Sequence, residues 1–243
     1  RQIKKARADN PVNEVSVTYL GHSGWAVQTS NSFLIFDYQE EYDFNWDKQP
    51  ERKLISGYIN TEEIENLNVY VFISHSHSDH FDPLILTWEK GIDNITYFFG
   101  WDFSADPRYH CLKTPHSIYK DKAIEVYTIN SHHSGVFESA FLVKIDGITI
   151  YHNGDYKGDD YRSDYKYLRS KTEKIDIAFS NSVPIEGTQY LQQTLQLIGE
   201  CVVKHFFPMH SINKEEEYKL FAKMLENKGA RSVIHCAEIK GDK

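Results

Sequence analysis

The chain has 243 residues, 40% of them hydrophobic, and a formal net charge of −8. That is enough apolar material for a real core, in a length ordinary for one two-layered α/β unit. The acidic balance argues against a general nucleic-acid binder, which needs a basic footprint. No apolar run approaches the ~20 residues that cross a bilayer, and no secretory signal is visible from Arg1 onward.

Residues 1–13 are polar and basic and read as a loose N-terminus before the rest of a single domain spanning 1–243. Residues 15–20 alternate as a strand. Residues 25–29 and 33–37 are two more, joined by a hairpin at Ser30-Asn31-Ser32. Residues 38–60 are irregular and rich in aromatics (Tyr38, Tyr42, Phe44, Trp46), the composition of either a lid or a packed-down loop. A short helix is expected over 61–67. Then comes Val69-Tyr70-Val71-Phe72-Ile73, β-branched and aromatic with no turn residue, which reads as a buried strand.

Directly after that strand, His75, His77, Asp79 and His80 fall within six residues. Asp82 can cap a following helix, over 83–90, with Pro83 at its first position. The cluster therefore sits at the carboxyl end of a strand, where open α/β sheets place ligands. His75 and His77 are two apart, so in extended chain they point the same way and can share a metal. Asp79 and His80 lie past the bend and can aim at a second position.

Further strands are expected at 95–99, 124–129, 141–145, 148–152, 175–179, 203–207 and 231–236. Asp146-Gly147 is the strongest short hairpin signal. Residues 188–203 and 214–228 read as amphipathic helices, Gly229 ending the second. Cys111, Cys201 and Cys236 are too few and too scattered for a disulfide framework, which points to a reducing, cytoplasmic setting. Gly21-His22-Ser23-Gly24 lacks the spacing of a serine-nucleophile elbow.

His75-Ser76-His77-Ser78-Asp79-His80 resembles the HxHxDH signature of the metallo-β-lactamase superfamily of metal-dependent hydrolases. Tyr19-Leu20-Gly21-His22-Ser23-Gly24 resembles the opening of its UlaG-like, ascorbate-phosphate-lactonase-related branch. Tyr151-His152-Asn153-Gly154-Asp155 resembles the later Gly-Asp motif, and Pro208-Met209-His210 the final histidine motif. These matches keep their order from about residue 15 to 212.

The resemblance implies an α+β fold, a four-layer αββα sandwich with two sheets face to face and helices outside. It implies a dinuclear site: His75 and His77 on one metal with a histidine from 131–134, Asp79, His80 and His210 on the other, and Asp155 bridging. His133 is the preferred third ligand and His132 the alternative, with His152 either a supporting neighbour or a further alternative ligand. Asp79 and His22 are the catalytic candidates, His22 as a loop residue facing the substrate. Zinc is the expected metal, with manganese or iron as alternatives.

The implied reaction is hydrolysis of an ester, lactone or phosphodiester in a small molecule by hydroxide held between the two metals. An iron-dependent redox enzyme of the same superfamily, or a non-catalytic metal-binding module, are the alternatives. The expected partners are a small-molecule substrate and, in an assembly, further copies of the chain. Neither a membrane nor nucleic acid is expected.

Overall fold

The computed structural model describes residues 15–40, 51–182, 188–211 and 213–243, leaving aside the side chains of His133 and Thr188. The first sheet contains β1 (Ser16–Gly21), β2 (Gly24–Gln28), β3 (Ser32–Phe36), β4 (Asn68–Ile73), β5 (Ile95–Phe99) and β6 (Tyr109–Cys111), neighbours in that order. β1 to β3 meander antiparallel, and β3 to β6 run parallel. Thr29 closes the β2–β3 turn, its Oγ1 accepting the Ser32 N–H at 3.0 Å.

The second sheet follows the same plan. β7 (Ile118–Lys120), β8 (Ile124–His133), β9 (Val136–Ile145) and β10 (Ile148–His152) are antiparallel. β10 then runs parallel with β11 (Lys174–Asn181), β12 (Val202–Met209) and β13 (Val233–Ile234). Asp146 and Gly147, at φ 48° and 80°, supply the left-handed pair that a two-residue hairpin needs.

Among the described residues four α-helices join these strands: α1 (Thr61–Ile64), α2 (Tyr161–Lys171), α3 (Thr188–Glu200) and α4 (Glu216–Asn227). In α4 the buried Tyr218, Phe221, Ala222 and Leu225 recur at helical spacing and face the second sheet.

Strand alternation sorts the apolar residues into three bodies. Between the sheets lie Trp25, Phe36, Phe72 and Phe98 from one and Phe141 and Phe179 from the other. Phe36, Phe72 and Phe98 occupy paired positions across β3, β4 and β5, and their rings stack at 4.8 Å on each side. The outer face of the second sheet packs Leu142 and Phe206 against Leu168 of α2, Leu197 of α3 and Phe221 of α4. The outer face of the first sheet packs Val71 and Phe99 against Ile64 of α1 and against Ile85 and Trp88. The result is the αββα sandwich: helical layers outside, two sheets within.

The differences from expectation are local. Residues 83–90 form a 3₁₀ segment (Pro83–Lys90) capped by Asp82, whose side chain accepts the Leu84 N–H at 2.9 Å. Ile85 and Trp88, three apart, are its buried residues, and a three-residue turn aligns them on one side. The helix expected over 61–67 is only Thr61–Ile64, and that over 188–203 stops at Glu200. α2 was not expected; Asp160 caps it by accepting the Ser163 N–H at 3.3 Å, and Tyr165 and Leu168 bury its inner side. β8 and β9 are longer than expected, so His132 and His133 lie within a strand rather than beyond its end. Residues 41–50 of the expected lid lie outside the described residues; Tyr38 at its start is buried, ring against Trp88 at 5.2 Å.

Phe72→Ala removes the middle ring of the inter-sheet ladder and is expected to cost about 3–5 kcal/mol, read as a lower urea midpoint. Phe137→Ala, at a position 49% exposed, is expected to change that midpoint by ~0.5 kcal/mol or less.

Candidate metal centre

β1 and β3 both run antiparallel to β2, so they run parallel with each other and with β4. All three end at one rim, followed by His22, by Asp37 and by residues 74–80. β10 and β12 of the other sheet end there too, followed by Asp155 and His210. Hydrogen bonds close the sheets together at this rim. The His210 N–H donates to the His22 carbonyl at 3.0 Å, and the Ser139 N–H to the Ser74 carbonyl at 3.0 Å. His152 Nε2 donates to the Ser23 carbonyl at 2.9 Å.

The imidazoles and carboxylates brought together overlap in reach. His75 Nε2 lies 3.0 Å from His77 Nδ1. Asp155 Oδ1 lies 3.4 Å from His80 Nε2 and 3.0 Å from His210 Nε2. Asp79 Oδ2 lies 3.3 Å from His22 Nε2, 3.8 Å from His80 Nε2 and 4.0 Å from His210 Nε2. Three donor sets each fit within 4.8 Å: His22, Asp79, His80 and His210; His75, His80 and Asp155; His75, His77 and Asp79. Among the described residues His75, His80 and Asp79 each belong to two sets, so the sets overlap in one cluster whose donors are enough for two adjacent cations.

The donor chemistry fits a transition metal, with imidazole and carboxylate mixed. His80 Nε2 and His210 Nε2 are buried and make no hydrogen bond of good geometry among the described residues, although both face Asp155. A buried polar nitrogen left in that state costs about 1–3 kcal/mol, a cost that ligation would offset. Burial pushes His75 down to about 3, with the charge of His80 adding to it, and burial pushes His22 down to about 4. Both imidazoles are thus neutral near pH 7, the state that binds a cation. For Asp79, burial works against ionisation, but the hydrogen bond from His22 and the charge of His80 outweigh it and hold the carboxyl below its ordinary range.

A layer of buried polar groups fixes these donors. Asp37 accepts from the Ser74 N–H and from Ser74 Oγ, each at 2.7 Å, and faces His80 Nδ1 at 2.7 Å. That contact sets Nδ1–H as the donor and leaves Nε2 for the centre. Gly154, at φ 54°, lies against Ser74, and a Cβ there would collide with the serine side chain. Asn181 Nδ2 donates to Asp155 Oδ1 at 2.7 Å. Glu138 is fully buried, hydrogen-bonded by Ser131 Oγ, with Oε2 3.9 Å from His75 Nδ1; burial holds its carboxyl up at about 7.

The sequence profile of the Beta-lactamase superfamily domain matches residues 16–210. The chain belongs to the metallo-β-lactamase superfamily. Within this superfamily it is similar to a metal-dependent hydrolase of Pyrococcus furiosus, 22% identical over 209 residues that cover 81% of this chain and 84% of that one. A metal-dependent hydrolase of Nanoarchaeum equitans is 25% identical over 251 residues, covering 90% and 96%. Among solved structures, a metallo hydrolase of the archaeon Ignicoccus hospitalis shares the fold at TM-score 0.63, with 16% identity and 93% and 96% coverage. The superfamily and the clustered ligands together make the chain a metal-dependent hydrolase domain with donors for a dinuclear centre.

Of the residues expected from the sequence, His75, His77, Asp79, His80, Asp155 and His210 all fall in these donor sets. His22, the other catalytic candidate, joins the set around Asp79 as well. His132 is exposed and packs on Phe137 at 4.2 Å between centroids, outside all three sets. The side chain of His133 lies outside the described residues. His152 is fully buried, stacks on Phe36 at 5.1 Å and holds the Gly154 N–H through Nδ1 at 3.2 Å. Asp37, Glu138 and Asn181 carry no local motif; an Asp closing an apolar strand next to nothing but a tyrosine was the one available sign for Asp37. His205 and His235, distant in sequence, pair at 3.0 Å at the other end of the sandwich.

Asp37→Ala removes the acceptor for His80 and the Ser74 loop. It is expected to weaken metal binding about 10–100-fold, measured by competition with a chelator of known affinity. Asp37→Asn, which keeps one acceptor oxygen, is expected to lose less.

Proposed function

We propose that this protein hydrolyses an ester, lactone or phosphodiester bond in a small molecule, using two divalent transition metals, zinc before manganese or iron. The sharing of His80 and Asp79 between overlapping donor sets is the observation that carries this reading. On it, His75 and His77 hold one metal with His133, and Asp79, His80 and His210 hold the other. Asp155 lies between them. His133 is favoured over His132 because the His132 ring is exposed and packs on Phe137, apart from the donor sets. When bound, such a metal pair supplies an activated water at neutral pH and a Lewis acid for the bond under attack.

The chain's own residues do the rest. Asp79, ionised at the edge of the centre, would orient the attacking water through its carboxylate. His22, neutral and 3.3 Å away, keeps the Asp79 carboxylate aimed and lines the substrate position. Asn181 and Asp37 hold Asp155 and His80 against rotation. The Gly21-His22-Ser23-Gly24 motif supports the UlaG-like branch, and with it a lactone or phosphate ester over a peptide or a nucleic acid. The free thiols of Cys111, Cys201 and Cys236 support a cytoplasmic setting.

Protein purified without chelators is expected to carry close to two transition metals per chain by elemental analysis. It is expected to turn over at least one of para-nitrophenyl acetate, a simple lactone and bis-(para-nitrophenyl) phosphate. Asp155→Asn is expected to lower that turnover by about 100-fold or more and to release metal, with the far-UV circular dichroism unchanged. A fully active Asp155→Asn protein holding both metals would remove Asp155 from the centre. His133→Ala is expected to lose metal and His132→Ala to keep it; the reverse pattern moves the ligand to His132.

A further inference from the structure

The sandwich also opens at the end away from the metal centre. β1 starts there and ends at His22, so one strand connects the two ends. A cavity of about 690 Å³ lies between the sheets at this opening, a size that takes a small organic molecule. Val15 and Val17 at the start of β1, with Ile148, Ile177 and Phe207 of the second sheet, give it an apolar floor. The ring of Phe207 packs on Trp25 at 5.1 Å and on His235 at 4.6 Å.

The polar part of the wall comes from two neighbouring strands. His205 of β12 and His235, just past β13, face each other with Nδ1 and Nε2 3.0 Å apart. The His235 backbone is fixed by its N–H, which donates to the Phe206 carbonyl at 2.9 Å. Burial holds both rings below the ordinary histidine range, so both are neutral near pH 7. One facing nitrogen donates and the other accepts, and the accepting ring keeps its hydrogen on the outer nitrogen. The pair thus offers one N–H that it does not use itself.

The charges on the wall are unequally committed. Asp146 accepts from Thr29 Oγ1 at 2.6 Å. Asp176 accepts the Thr149 N–H at 3.0 Å and pairs with Lys174. Lys204, beside His205, and Lys243 also line the cavity. Among the described residues neither has a carboxylate within ion-pair reach, whereas Lys53, Lys113, Lys120 and Lys219 each have one. An apolar floor with a few convergent donors and uncommitted cations is the build of a site for an amphipathic anion.

We propose that this cavity binds a small amphipathic carboxylate, with the hydrocarbon on the apolar floor and the carboxylate on Lys204 and the His205–His235 pair. The site shares no residue with the metal centre and stands apart from the hydrolytic reading. The competing occupant is a second copy of the chain, which would cover the same floor without needing the cations.

Methyl NMR of the metal-loaded protein, labelled at the isoleucine δ1 carbons, separates the two. Ile148 and Ile177 report on the cavity, and Ile73, at the end of β4, reports on the metal centre. The probes are octanoate, octan-1-ol, octyltrimethylammonium and acetate. Octanoate is expected to shift Ile148 and Ile177 and to bind about ten-fold or more tighter there than octan-1-ol. Octyltrimethylammonium is expected to bind more weakly than either, and acetate, which has no chain for the floor, to leave both signals in place. Lys204 is exposed, so Lys204→Gln leaves the fold intact; it is expected to remove most of the advantage of octanoate with octan-1-ol affinity unchanged. His235→Gln is expected to do the same. Octanoate that leaves Ile148 and Ile177 unmoved, or that binds them no tighter than octan-1-ol, overturns the proposal. So does an advantage that survives in Lys204→Gln and His235→Gln alike. Signals that move with protein concentration and not with octanoate also overturn it, and make the cavity a contact between copies of the chain.

Discussion

A buried carboxylate organises this centre. Asp37 sits at the end of β3, and an ionised carboxylate in that position is tolerable only if its oxygens are fully engaged. They are: the Ser74 amide, the Ser74 hydroxyl and His80 Nδ1 all lie 2.7 Å away. Burial raises the carboxyl's pKa, but His80, through its charge and its hydrogen bond, outweighs it, and the group stays ionised. Satisfying this one acid fixes the path of the chain after β4 and sets the proton on His80, so Nε2 has to face the centre. The histidine run can act as a ligand set because its first turn is already held from behind.

The backbone carries the corresponding strain. His22, Asp37 and His210 adopt φ of 51°, 42° and 74°, a region that side-chain-bearing residues seldom occupy and that costs of order 1–3 kcal/mol each. All three are the first or second residue after a strand end at the shared rim. Bonds across the sheets hold them there. The His22 carbonyl accepts from the His210 N–H, and Tyr218 of α4 accepts the Ser211 N–H at 3.1 Å while its ring packs edge-on to Tyr19 of β1. The aromatic inter-sheet core supplies the stability that makes such positions affordable. Function in this molecule therefore lives at the one edge where both sheets end, and the core beneath is what keeps that edge rigid.

What could be read from the sequence was what is local in the chain. The ligand run His75 to His80 is compressed into six residues, Asp146-Gly147 defines its own turn, and the apolar runs of β3, β4 and β5 need no partner to be recognised. The supporting groups were hidden because their partners are distant: Asp37 meets His80 across 43 positions and Asn181 meets Asp155 across 26. The contact between His22 and Asp79 was hidden for the same reason, since the two meet only when the ends of β1 and β4 fall on one rim. α2 was obscured by a polar, tyrosine-rich composition, although Tyr161, Tyr165 and Leu168 already stood at helical spacing. Residues 83–90 had the cap and the proline of a helix, and one buried pair three apart, Ile85 and Trp88, suits a 3₁₀ turn as well as an α-turn, so the sequence did not separate the two.

The central claim is that Asp37 turns His80 Nε2 into a metal ligand by holding the proton on Nδ1. Nitrogen NMR of histidine-labelled protein, loaded first with zinc and then with cadmium, measures this directly. His80 is expected to show a protonated Nδ1 throughout, a metal-shifted Nε2 and a cadmium coupling to its ring, all weakened in Asp37→Ala. A loaded protein in which His80 shows no cadmium coupling, or couples through Nδ1, would contradict the account.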